Sequence, residues 1–175
     1  MTGYGGRELA NSFRTVRRNT LQIAGDIPAD KYDFVPARGV RSVRATLVHI
    51  AMSARLQEDF HRTKRLTTLQ GYDFPTFIGA LHAEEQKPRS KDEIIALLES
   101  EGQQFASWLE TLTPEFLAET YGDHAGENPR TRLEGLLSPK EQEMHHRGQL
   151  MLVERMLGIV PHLTQAMQAR MAAMS

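Results

Sequence analysis

Two adjacent histidines, His145 and His146, lie in the run Ser138-Pro139-Lys140-Glu141-Gln142-Glu143-Met144-His145-His146-Arg147-Gly148-Gln149. Imidazole is a good ligand for zinc-like ions. Two imidazoles four residues apart on a helix reach one ion together. The residue one turn before His146 is Gln142, whose amide is a poorer ligand. A helical projection at about 100° per residue puts Gln142, His146, Gln149 and Val153 on one narrow stripe. Leu150, Leu152, Met156 and Leu157 flank that stripe, so it is expected to face the core. His145 falls roughly 60° off the line. Buried polar groups without partners cost about 1–3 kcal/mol, so such a stripe calls for a metal, a ligand, a water or a facing side chain.

His49 is the natural partner. It sits inside the apolar run Leu47-Val48-His49-Ile50-Ala51 and is expected to point inward. One inward histidine is readily explained as a core residue with one hydrogen bond. Two on different helices point to a shared site. The other histidines carry less: His61 reads as solvated within His61-Arg62-Thr63-Lys64-Arg65, His82 and His124 as loop residues, and His162 as local to a helix start. Arg17-Arg18 and Lys64-Arg65 read as solvated faces.

Helices must position these groups, because the apolar pattern is helical throughout and β-branched alternation is nearly absent. The first helix is expected from about Glu8 to Ala24, stopped by Gly25-Asp26-Ile27-Pro28. Ser42 is the expected N-cap of the second, which carries His49. Residues 71–88 read as a packed loop or short helix, interrupted by Pro75 and Gly79. Ser90-Lys91-Asp92-Glu93 is a capping box that opens the third helix. Residues 121–132 read as an exposed loop. Ser138-Pro139-Lys140-Glu141 is a second capping box, with proline at the first helical position, so the fourth helix is expected from there to Leu157. A last helix spans about Pro161 to Ala173. The expectation is an all-α protein: four main helices and an additional C-terminal helix, one bundle domain over residues 1–175.

The 175 residues suffice for a proper core. A net charge of −1 gives no general case for nucleic acid. The absence of cysteine excludes disulfides, thiolate ligands and a cysteine nucleophile. No signal-like N-terminus and no apolar run of about 18 residues is present, so a cytoplasmic protein with no membrane partner is expected.

The stretch from Asp30-Lys31-Tyr32-Asp33-Phe34-Val35-Pro36 through Arg41-Ser42 to Leu47-Val48-His49-Ile50-Ala51, closing with Glu143-Met144-His145-His146-Arg147-Gly148-Gln149-Leu150, resembles the DinB/YfiT-like superfamily of four-helix bundles. That resemblance implies three histidines around a divalent ion such as nickel or zinc. It transfers to His49 and His146 directly and puts the third ligand at Gln142, with His145 or Glu143 as the nearby replacements. It also implies a metal-dependent thiol S-transferase or a hydrolase acting on a small-molecule substrate, the former with a low-molecular-weight thiol as cosubstrate. The alternative is a non-catalytic bundle with a degenerate metal site, binding a small ligand or serving as a dimeric scaffold. A homodimer is expected, through a face of Met144, Gly148, Met151 and Arg155 that the last helix, with Met167, Met171 and Met174, could otherwise cover.

Overall fold

A computed structural model describes residues 3–174. Helix α1 spans Gly6–Asp26, α2 Val43–Met52, α3 Arg55–Glu58, α4 Phe74–Gln86, α5 Lys91–Glu110, α6 Pro114–Ala118, α7 Arg132–Met156 and α8 His162–Ala172. A two-stranded hairpin, β1 (Thr120–Tyr121) and β2 (Arg130–Thr131), is the only sheet among the described residues. The bundle proper is α1, α5, α7 and the α2–α3 rod, which bends at Ser53-Ala54 and ends in a π-helical turn, Asp59–Thr63. The architecture is the expected all-α four-helix bundle with an additional C-terminal helix. No described helix is long and apolar enough to cross a membrane.

Apolar residues at helical spacing build two main layers. Ile23, Leu47, Ile50, Ile94, Leu98 and Leu150 pack one end. Leu9, Phe13, Phe105, Leu109 and Leu136 pack the other, where the Phe13 and Phe105 rings meet edge-on at 5.0 Å. Gly6 lets α1 approach α5, because a Cβ there would run into the Leu112 carbonyl at 2.8 Å.

Two expectations give way, and two open ones are decided. Helix α7 begins six residues before Ser138, because Thr131 and Glu134 form the same kind of capping box earlier in the chain. Thr131 Oγ1 accepts from the Glu134 amide at 3.2 Å, and Glu134 Oε2 accepts from the Thr131 amide at 2.6 Å. Pro139 therefore lies inside the helix, where its missing N–H leaves one bond of the ladder unmade. Residues 121–132 are not simply an exposed loop: Thr120 pairs with Thr131 and Tyr121 with Arg130, delivering Thr131 to its capping position. Residues 71–88 contain a 13-residue helix, capped by Asp73 with Pro75 in its first turn, which packs on α2. Helix α8 buries none of its residues and meets that face at Arg155, which donates to Thr164 Oγ1 at 2.9 Å, while Met144 stays 45% exposed, so α8 leaves the Met144 end open.

Charged side chains in the core are the other departure. Arg17 is buried, not solvated. Its Nε donates to Glu143 Oε1 at 2.9 Å, Nη2 to Glu143 Oε2 at 2.9 Å and to the Ile50 carbonyl at 3.3 Å, and Nη1 to the Leu98 carbonyl at 2.6 Å. One guanidinium thus joins α1, α2, α5 and α7. His61 is buried as well: Arg132 donates to its Nδ1 at 2.9 Å, and its Nε2 meets Gln57 Oε1 at 3.0 Å. Burial, then the charge of Arg132, pushes its pKa down to about 4, so it stays neutral. Lys64 and Arg65 are solvent-exposed as expected.

Candidate metal centre

Glu143 fixes the orientation of α7. It lies fully buried against Arg17, so the centre of the core falls between Glu143, Leu150 and Val153. The stripe of Gln142, His146 and Gln149 is therefore turned to the edge of the core. His146 is 9% exposed, whereas Gln149 is exposed, and Leu152 and Met156, read as core flanks, are 60% and 52% exposed. The stripe borders a cleft of about 1400 Å³. Its walls are the Asp33–Thr46 segment, the end of α4 and the side of α7 from His145 to Met156.

His49 and His146 meet as expected, with ring centroids 4.8 Å apart and planes at 86°. Gln142 joins them, its Nε2 lying 3.1 Å from His49 Nε2. His49 Nδ1 lies 2.8 Å from Glu85 Oε1. An ionised carboxylate only accepts, so Nδ1 carries the proton, and the Gln142 N–H then donates to the Nε2 lone pair. His146 follows the same pattern. Its Nδ1–H donates to Gln149 Oε1 at 2.9 Å, and Gln149 Nε2 donates to His145 Nε2 at 3.1 Å. Both rings therefore carry their protons on Nδ1, which leaves each Nε2 as the nitrogen with a lone pair.

Burial lowers the pKa of His49, against the opposing pull of Glu85, and lowers that of His146 as well. Neutral imidazoles are the ligating form. Glu85 is 5% exposed. Burial alone would raise its pKa, but hydrogen bonds from Arg41 and His49 outweigh it and hold the carboxyl below its ordinary value. Arg41 Nε donates to Glu85 Oε2 at 2.8 Å.

Two of the residues weighed as replacements for the third histidine are placed otherwise. Glu143 is consumed by Arg17, and His145 is exposed and hydrogen-bonded to Gln149. His82 is exposed with Nδ1 3.6 Å from Glu85 Oε2; His124 stacks near Phe74; His162 packs at the start of α8 near Asn19. The sequence reading missed Glu85 and Arg41. Glu85 lies in Ala83-Glu84-Glu85-Gln86, on a helix otherwise little buried, and nothing in that tetrapeptide distinguishes it from its neighbour.

The donor chemistry suits a divalent ion. A carboxylate that braces the far nitrogen of a histidine is the usual outer support of a metal-bound imidazole. Here Glu85 supplies that support to His49, and Gln149 orients His146. The set is nevertheless thin: among the described residues no group of three or more His, Asp or Glu is arranged to hold a metal. What this chain offers is two imidazoles and, once the Gln142 amide that now donates to His49 is turned over, its neutral carbonyl oxygen.

A DinB superfamily model matches residues 12–150. The chain belongs to the DinB superfamily. A search of curated proteins found no match. Among solved structures, a DinB-like protein (YjoA) from Bacillus subtilis is 22% identical, with a TM-score of 0.64 over 86% of this chain and 92% of that one. YfiT from Bacillus subtilis is 17% identical, with a TM-score of 0.68 over 91% of each chain. YfiT is described as a probable metal-dependent hydrolase with an unusual four-helix bundle topology. At these identities the two structures establish the shared fold of this DinB-like chain.

Proposed function

We propose that this DinB-like protein is a divalent-metal-dependent hydrolase of a small-molecule substrate, with His49 and His146 as its strong ligands and Gln142 as a weak third. The observation that carries the reading is the meeting of two imidazoles, centroids 4.8 Å apart, each held in its Nδ1–H form by Glu85 or Gln149, with His146 on the wall of a cleft. Nickel or zinc, the ions such donors suit, would lower the pKa of a bound water and supply a nucleophile near neutral pH. The chain's own residues do the rest. Glu85 keeps His49 in the ligating tautomer, and Gln149 does the same for His146. The cleft also has room for a low-molecular-weight thiol beside the substrate, which is the thiol S-transferase form of the same proposal.

The test is metal analysis of protein purified without a histidine tag, followed by zinc and nickel titration of the wild type, His146→Ala and Gln142→His. The expected result is binding by the wild type and its loss in His146→Ala. Gln142→His should bind more tightly by at least the roughly 10–100-fold that a supporting residue is worth in metal sites. No metal at purification and no micromolar affinity would overturn the proposal.

A second reading, a non-catalytic ligand-binding or scaffold bundle, is favoured by one observation. The Gln142 hydrogen bond to His49 closes the polar network without an ion. Melting temperature unmoved by chelator, together with lower stability in His49→Ala, would select it.

A further inference from the structure

We propose that the cleft beside His146 selects an amphipathic anion, with Arg41 as the residue that receives its oxyanion and the exposed apolar walls as the seat of its hydrocarbon part. This rests on the cleft assigned above as the substrate site, but not on the presence of a metal ion.

Arg41 is committed to the protein at one end only. Its Nε donates to Glu85, while its two terminal nitrogens make no hydrogen bond with any described residue, and the side chain is 34% exposed on the cleft wall. The planar fork left open is the geometry that receives a carboxylate or phosphate through two parallel hydrogen bonds. Buried Glu85 holds the guanidinium in place, so little freedom is lost on binding. The position is also close to the histidines, since Arg41 Nε and His49 Nδ1 meet the two oxygens of one carboxylate, Glu85.

The other charges on the cleft are spoken for. Arg44 holds Asp33 with Nε to Oδ1 at 2.9 Å and donates to the Arg89 carbonyl, and Lys87 holds Glu84. Both cleft carboxylates, Asp33 and Glu85, are already paired with arginine, so neither faces an incoming anion uncompensated. The apolar half of the argument is independent. Val35, Val40, Leu152 and Met156 are 50%, 50%, 60% and 52% exposed, and all four line this same cleft. Large apolar side chains gathered in a concave, open site mark a surface that a ligand covers.

The experiment is calorimetric titration of the chelator-treated full chain with octanoate and with 1-octanol, which differ in the oxyanion. Wild type should bind octanoate saturably at one site and more tightly than octanol. Arg41→Gln should weaken octanoate about tenfold or more, as loss of a charged hydrogen-bond pair does, and change octanol less than about twofold. Arg41→Lys keeps the charge and the contact to Glu85, and should retain part of the preference, which separates recognition from misfolding. Met156→Glu should weaken both probes. Because the titrated chain has been treated with chelator, octanoate binding is read without an ion, so the proposal survives even if the metal reading fails. Absence of saturable octanoate binding, or equal weakening of the two probes by Arg41→Gln, would overturn it.

Discussion

Replacing Arg17 with methionine tests the centre of the bundle. The substitution conserves apolar bulk and removes the charge. It deletes the bonds at 2.9, 3.1 and 2.9 Å to a Glu143 carboxylate that is fully buried, and releases the Ile50 and Leu98 carbonyls. Breaking a buried pair from one side costs about 3–5 kcal/mol, because the surviving charge has neither water nor a partner. Marginal domains hold roughly 5–15 kcal/mol in all, so the variant should unfold at much lower urea than the wild type. The charge can be relieved by protonation. In Arg17→Met an isolated, buried Glu143 should have its folded-state pKa raised above the unfolded value, so its stability should recover as pH falls from 7 toward 5. Arg17→Met/Glu143→Leu should regain most of the loss, since an apolar pair can replace a buried ion pair at little cost. Urea midpoints of the wild type and the two variants at pH 7 and pH 5 give the answer. A loss under about 1 kcal/mol at pH 7, with no gain on acidification, would refute the view that this pair is desolvated and mutually dependent.

Glu154 offers a pH test at the other end of α7. Both its oxygens are buried without a hydrogen-bond partner, and burial, then the charge of Asp26, raises its pKa from 4.5 to about 7. A raised folded-state pKa gives stability that is full below about 4.5 and is lost as pH climbs toward 7. The wild type should therefore melt lower at pH 7.5 than at pH 5, and Glu154→Gln should flatten that difference in a thermal scan. Gly135→Ala should destabilise by about 1–3 kcal/mol, as overpacking does. A Cβ there would meet the Tyr121 hydroxyl at 2.5 Å and His61 Nε2 at 2.9 Å, which a chemical denaturation curve would register. Met144 and Met167 are 45% and 59% exposed, and we expect a homodimer to cover the α7 methionine face; light scattering that stays monomeric across concentrations would reject it.

The bundle was legible because its information is local. The spacing of Leu9, Phe13 and Val16, the Ser90–Glu93 box and the Ser42 cap are each read within one or two turns, and each forms as read. His49 and His146 were legible for a related reason: a polar residue in an apolar run stands out. What failed depends on distant partners. Arg17 reads as solvated until Glu143, 126 residues away, is known to face it. His61 looks polar in sequence because its neighbours are charged, but Arg132 and Gln57 bury it. Ser138-Pro139 has every mark of a helix start. It loses to Thr131 because the hairpin, a pairing of short and unremarked strands, fixes where α7 begins. Glu85 was invisible because its role exists only when α4 lies against α2.

The Gln142 contact has a consequence in the genetic code. Glutamine and histidine share the first two bases of their codons, so a single third-position change would exchange them. At this position the amide meets His49 now, 3.1 Å from Nε2, by donating to the lone pair. The three-imidazole arrangement and the present one are therefore adjacent in sequence space, with no intermediate that unfolds the bundle. On the metal reading proposed above, one step separates a three-imidazole ligand set from the present pair, with Glu85, the Arg17–Glu143 pair and the cleft untouched by the change.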